Sequence, residues 1–143
     1  MKLAVTYTTI PAYGELTSLH FQYDQLRSVH ARLWVHVPGR GSARPWWLDY
    51  GEQASEPEYL NEQTTRIISN LVQGMRLEAV PDFAGGEQEE ADESEQAGEI
   101  KELEFLAGYN RVKYVWWKSL PSQWQDFSPL LAFFDGFIEA RQP

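Results

Sequence analysis

A helical stripe set between strand-like runs constrains this chain more than any other feature. From Ser55 to Met75 the apolar residues fall at Leu60, Ile67, Ile68, Leu71, Val72 and Met75, the spacing that lays one stripe along one side of a helix. Thr64 fills the missing step. Ser55 followed by Glu58 has the form of a capping box, and Pro57 falls in the first turn, where its missing N–H costs nothing. The segments around it alternate with a period of two, so the expected arrangement is a helix lying on a sheet.

The alternation is read segment by segment. Lys2 to Ile10 sets Leu3, Val5 and Tyr7 against Lys2, Thr6 and Thr8, a first strand ended by Pro11 and Gly14. Thr17 to Asp24 sets Leu19, Phe21 and Tyr23 against His20, Gln22 and Asp24. Val29 to Val37 turns Val29, Ala31, Leu33, Val35 and Val37 inward and His30, Arg32, Trp34 and His36 outward. After the loop PGRGSARP, the aromatic run from Trp46 to Tyr50 reads as a fourth antiparallel strand.

Beyond the helix, Ile100 to Ala107 alternates again, Gly108-Tyr109-Asn110 supplies turn residues, and Arg111 to Lys118 returns as the second arm of a hairpin. Ser128 followed by Pro129 has the form of an N-cap opening a second helix, whose Leu130, Leu131, Phe133, Phe134, Phe137 and Ile138 make a broad apolar face. The expected fold is α+β, a mostly antiparallel sheet of about six strands in the order β-β-β-β-α-β-β-α, with both helices on one face.

A chain of 143 residues has the size of a single domain spanning 1–143 and buries roughly 68% of its unfolded surface. Its charge is uneven. The net value is −9, yet Glu87, Glu89, Glu90, Asp92, Glu93, Glu95 and Glu99 lie together between Gly85 and Glu99 with no base among them. Without these seven, 14 acids stand against 12 bases, a net of −2. Residues 85–99 are therefore expected as a mobile acidic loop inserted in the domain. A direct nucleic-acid role is disfavoured, because it needs a basic stripe to displace counterions.

No cysteine is present, which excludes disulfides, thiolate zinc sites and a cysteine nucleophile and suits a reducing compartment. The N-terminus has no signal-peptide pattern and no run approaches a membrane span, so the cytoplasm is the expected location. The GxSxG, HExxH, GxGxxG and GxxxxGK[ST] patterns are all missing. No catalytic, cofactor or metal residue is assigned on sequence.

Three constellations remain. His20, His30 and His36 share the outward phase of neighbouring strands; a hairpin pairing Asp24 with His30 sets His20 opposite Trp34. His30 and His36 are then roughly 20 Å apart along one strand, so only Asp24 with His30 suits a metal or acid–base site. Arg40 and Arg44 sit among glycines, a composition that suits an anion nest. Six Trp include the adjacent pairs Trp46-Trp47 and Trp116-Trp117, whose members point to opposite faces if both segments are strands. On the helix-free side, indoles beside Trp34 and Arg32 would form an aromatic and cationic patch with the makeup of a hot spot, unless loops or a second copy of the chain cover it.

The first expectation is thus a protein-binding module of inhibitor, immunity or adaptor type that occupies an unidentified protein partner. Its candidate surface is Arg32, Trp34, Arg40, Arg44, Trp47 and Trp117. A metal- or small-molecule-dependent enzyme using Asp24 and His30 is the second reading. A DNA mimic using the acidic insert is the third.

Overall fold

The computed structural model describes residues 2–39, 44–49, 51, 53, 55–75, 99–107 and 110–142. Arg40 and the acidic segment 85–98 lie outside them. The strands are β1 (Lys2–Ile10), β2 (Thr17–Asp24), β3 (Arg32–His36), β4 (Glu58–Tyr59), β5 (Ile100–Ala107) and β6 (Asn110–Trp117). They form one sheet in the order β4-β3-β2-β1-β5-β6 with every neighbouring pair antiparallel. Two helices, α1 (Glu62–Gln73) and α2 (Ser128–Glu139), complete the α+β fold.

Both helices cover the same face, here called the front. Leu3, Val5, Tyr7, Leu19, Phe21, Leu33, Leu103, Phe105, Tyr114 and Trp116 point into one core with Ile68 and Val72 of α1 and Leu130, Phe134 and Ile138 of α2. Phe134 places its ring 6.2 Å from Tyr7 and 6.4 Å from Phe21. Tyr7 is also bonded to Asp135; burial and that carboxylate push its phenol pKa far above the ordinary value, so the neutral hydroxyl donates and ties α2 to the central strand.

The alternation of β1, β2 and β5 locates those strands, because Leu3, Val5, Tyr7, Leu19, Phe21, Leu103 and Phe105 recur at every second position on the core side. Other expectations give way. The described part of the run expected as a fourth strand, Trp46 to Asp49, is not one: Trp46–Leu48 is a 3-10 turn after Pro45, closed by Leu48 N–H to Pro45 O and Asp49 N–H to Trp46 O; Tyr50 lies outside the described residues. The fourth strand is instead Glu58–Tyr59, paired with Leu33 and Arg32. β3 starts at Arg32 rather than Val29, which is exposed in the preceding turn.

The first helix also starts later than its sequence suggests. Pro57 holds the preceding residue in extended backbone, and the chain there gains more by joining the sheet edge, continued by Leu60 N–H to Ala31 O at 2.9 Å. Asn61 is the cap, its side-chain oxygen accepting from Thr64 N–H at 2.7 Å. Ser128 is likewise no cap. A 3-10 segment, Ser122–Phe127, runs straight into α2, and the Ser128 hydroxyl donates to Gln125 at 3.1 Å.

The two starting points for α1 predict different mutants. Asn61→Ala should lower stability by about 1 kcal/mol, measured by urea unfolding. Ser55→Ala should stay within about 0.5 kcal/mol of the parent, because only the Ser55 carbonyl is used, as acceptor for Trp34 Nε1–H. The reverse ranking would place the helix start at Ser55.

Candidate functional site

The back of the sheet, away from the helices, carries the polar phase of every strand, and the register orders it into rows. One row runs Trp34, His20, Thr6, Glu104, Lys113 from β3 to β6. A second runs His36, Ser18, Thr8, Glu102, Val115. On the other side of the first lies a third, Tyr59, Arg32, Gln22, Ala4, Leu106, Arg111, which crosses all six strands, roughly 24 Å at the usual strand spacing.

The β2–β3 half of the first two rows is roofed by the 3-10 turn. His20 lies among three indoles, with ring centroids 5.7 Å from Trp34, 5.4 Å from Trp46 and 5.8 Å from Trp47, the last nearly parallel to it. Trp47 Nε1–H donates to Ser18 Oγ at 2.7 Å, and Ser18 shares a 2.9 Å bond with Thr8 Oγ1. Arg44 and Asp49, joined at 2.9 Å, close the base of the turn. Trp46 Nε1 is buried with no hydrogen-bond partner among the described residues.

Beneath this roof the polar groups satisfy one another. Arg32 Nη2 donates to Gln22 Oε1 at 2.9 Å, Gln22 Nε2 lies 3.0 Å from His20 Nε2, and His20 Nδ1 lies 2.8 Å from Thr6 Oγ1. Burial and the nearby Arg32 charge push the His20 pKa down from 6.5 to about 4, so the imidazole is neutral at pH 7. On the β5–β6 half, Glu104 pairs with Arg111 at 2.9 Å and Glu102 with Lys113 at 2.6 Å. Burial raises the Glu104 pKa, Lys113 opposes that rise and Glu102 adds to it.

The aromatic patch expected from sequence is therefore not open. Trp34 is 3% exposed, with the Trp46 ring edge-on to it at 5.3 Å. These two residues do not straddle the sheet; in a 3-10 turn both lie over its back and meet His20. Trp117 does point backwards while Trp116 enters the core. It stands on β6, three strands from β2 or roughly 14 Å away, so it does not join the indole cluster. Arg44 serves its own turn. Arg32 joins the expected group at Trp34, its guanidinium 5.7 Å from that ring.

The expected register sets His20 opposite Trp34 and extends to Gln22 with Arg32, where the pairing ends, so Asp24 and His30 are not a strand pair. Each is engaged locally. Asp24 Oδ1 accepts from Leu26 N–H at 3.1 Å and its Oδ2 is 3.6 Å from Arg27. His30 Nδ1 donates to the Leu60 carbonyl at 2.9 Å, fastening the β2–β3 turn to the start of α1. No group of three His, Cys, Asp or Glu able to hold a metal occurs among the described residues. No described helix is long and apolar enough to cross a membrane.

What sequence reasoning missed is the third row and the turn beside it. Tyr59 is 67% exposed, Leu106 42% and Leu26 83%. A signal was present: Leu106 occupies the phase of Glu102 and Glu104, and Leu26 is an apolar residue within the turn DQLRS. The chain matches no protein-family model, and no curated protein matches it in sequence.

The two indoles of the roof should behave differently when trimmed. Trp47→Phe removes a made bond and leaves Ser18 short of a donor, whereas Trp46→Phe removes a donor that has no partner. Trp47→Phe should cost at least about 1 kcal/mol more than Trp46→Phe, read from paired urea unfolding curves. Equal costs would mean that the Trp47–Ser18 bond contributes nothing.

Proposed function

We propose that this chain is a protein-binding module of inhibitor or adaptor type that occupies a protein partner through the unroofed part of its back face. The observation that carries the reading is the row Tyr59, Arg32, Gln22, Ala4, Leu106, Arg111. It combines an exposed Tyr and two Arg, residue types enriched at interface hot spots, with an exposed Leu on a hydrogen-bonded sheet. Leu26 and Val29 extend it as exposed apolar residues in the β2–β3 turn.

Charge gives the partner its chemistry. Lys2, Arg27, Arg32 and Arg111 gather at this end of the sheet, where Asp24 and Glu104 are the acids that face them. The strip is thus locally basic on a chain of net charge −9. A protein surface with carboxylates around apolar side chains complements it at contact.

Exposed positions test the reading without disturbing the core. Tyr59→Glu with Leu106→Glu should weaken binding of the partner captured from the chain's own cells at least tenfold, which is about 1.4 kcal/mol. The melting temperature should stay within a few degrees. Arg44→Ala, on the roof, should leave affinity unchanged. Undiminished affinity in the double variant would overturn the proposed surface.

A further inference from the structure

Hydrogen-bond polarity in the network beneath the roof runs one way. A guanidinium only donates, so Gln22 must present Oε1 to Arg32 and turn its NH2 toward His20. His20 Nε2 must then accept, which places the ring proton on Nδ1, where it donates to Thr6 Oγ1. The tautomer is dictated by Arg32, two residues removed from the ring. In this arrangement a second ring proton has no place: it would face the Gln22 NH2, and Oε1, the other end of that amide, is held by Arg32.

We propose that His20 is a proton-operated latch on the Trp46–Leu48 roof: a proton added at Nε2 breaks the bond with Gln22, and the roof lifts so that the imidazolium reaches water. The charged groups facing the ring support that direction. Arg32 of β3 is the nearest, and like charge opposes the added proton. On the β1 side stands neutral Thr6, with Glu104 one strand beyond it and already paired with Arg111. Ser18 and Gln22 of β2 are neutral, and His36 of β3 lies one row away, opposite Ser18. The roof contributes Arg44 and Asp49, which neutralise each other at its exposed base. Indole faces attract a cation, but they supply no acceptor for Nε2–H. The Trp46 and Trp47 rings stand between His20 and solvent, so hydrating the imidazolium displaces them.

The proposal requires that protonation move the indoles while the sheet stays intact. The full chain is titrated from pH 7 to pH 3, with His20 followed by its ring NMR signals, the tryptophans by emission wavelength and acrylamide quenching, and the sheet by far-ultraviolet circular dichroism. The expected result is a red shift and increased quenching that share the His20 midpoint, near 4, with the sheet signal retained through that step. Gln22→Glu supplies an acceptor for Nε2–H and should raise the midpoint by at least one pH unit. His20→Phe fills the same space without a titrating group and should abolish the fluorescence step; if it does not fold, Gln22→Glu decides alone. The latch is overturned if His20 takes up its proton with silent tryptophans, as an amide flip of Gln22 would produce. It is equally overturned if fluorescence and sheet signal are lost together, if the step survives in His20→Phe, or if Gln22→Glu leaves the midpoint where it was.

Discussion

The pairing of β1 with a neighbour on each side is the constraint on which the rest of this molecule depends. Leu3, Val5 and Tyr7 face the helices in the register that sets Thr6 against both His20 and Glu104. A slip by one residue would turn Thr6 and Thr8 into the core and Tyr7 onto the back. It would also dismantle the rows, because each back-face contact is a cross-strand neighbour relation. The apolar core on one side and the polar network on the other are thus two consequences of a single alignment. The buried bonds beneath the roof penalise any other pairing, since each would leave a donor or acceptor unsatisfied.

Much of that alignment was legible in the residues. The limits of β1, β2 and β5, the pairing of His20 with Trp34, and the placing of both helices on one face all follow from alternation and turn chemistry. Alternation reports which face a side chain takes; it does not report what lies over that face. Trp34 is outward by phase and buried in fact, because a turn twelve residues later folds back across β2 and β3. Trp46 to Tyr50 has strand-like composition, but Pro45 and local i→i+3 bonds make Trp46–Leu48 a 3-10 turn, and no period in so short a run separates the two. At α1, two capping signals compete. Ser55 with Glu58 matches a familiar pattern, whereas Asn61 lies where the chain leaves the sheet edge, and a cap can act only where the strand has ended. The His30 contact was illegible for a related reason: its partner, the Leu60 carbonyl, is thirty residues distant and a backbone atom, invisible to side-chain motifs.

The roof itself is an unusual solution. Sheets with helices on one side commonly leave the other to water, and the polar phase of β2 and β3 would suit that. Here the two indoles of the turn close over it instead, and the groups beneath must be satisfied without solvent. The network answers with a fixed sequence of donors from Arg32 to Thr6, and Ser18 answers Trp47. The account is incomplete at Trp46 Nε1, and a neutral His20 is part of its cost. Aromatic area gained over the sheet offsets both. The result holds tightly at pH 7 and contains one group whose protonation it cannot accommodate.

Arg32 joins the roofed and open halves of the back face. Its guanidinium lies over Trp34 and holds Gln22, while its row neighbour Tyr59 and, three strands along the same row, Leu106 belong to the open strip. A carboxylate docked against Arg32 neutralises part of the charge that keeps His20 unprotonated, so proton uptake by His20 becomes easier when the strip is occupied. Linkage makes the relation reciprocal: protonated His20 repels Arg32, turns the guanidinium outward and favours the docked carboxylate. In the proposed reading, strip and latch share a sign as well as a residue, and acid would strengthen docking through this route. Direct protonation of the partner's carboxylates acts in the opposite sense. Because His20 titrates near 4, within the range of ordinary carboxylates, the two effects overlap in pH. Gln22→Glu separates them, since it moves the His20 midpoint upward and leaves the partner's carboxylates as they were.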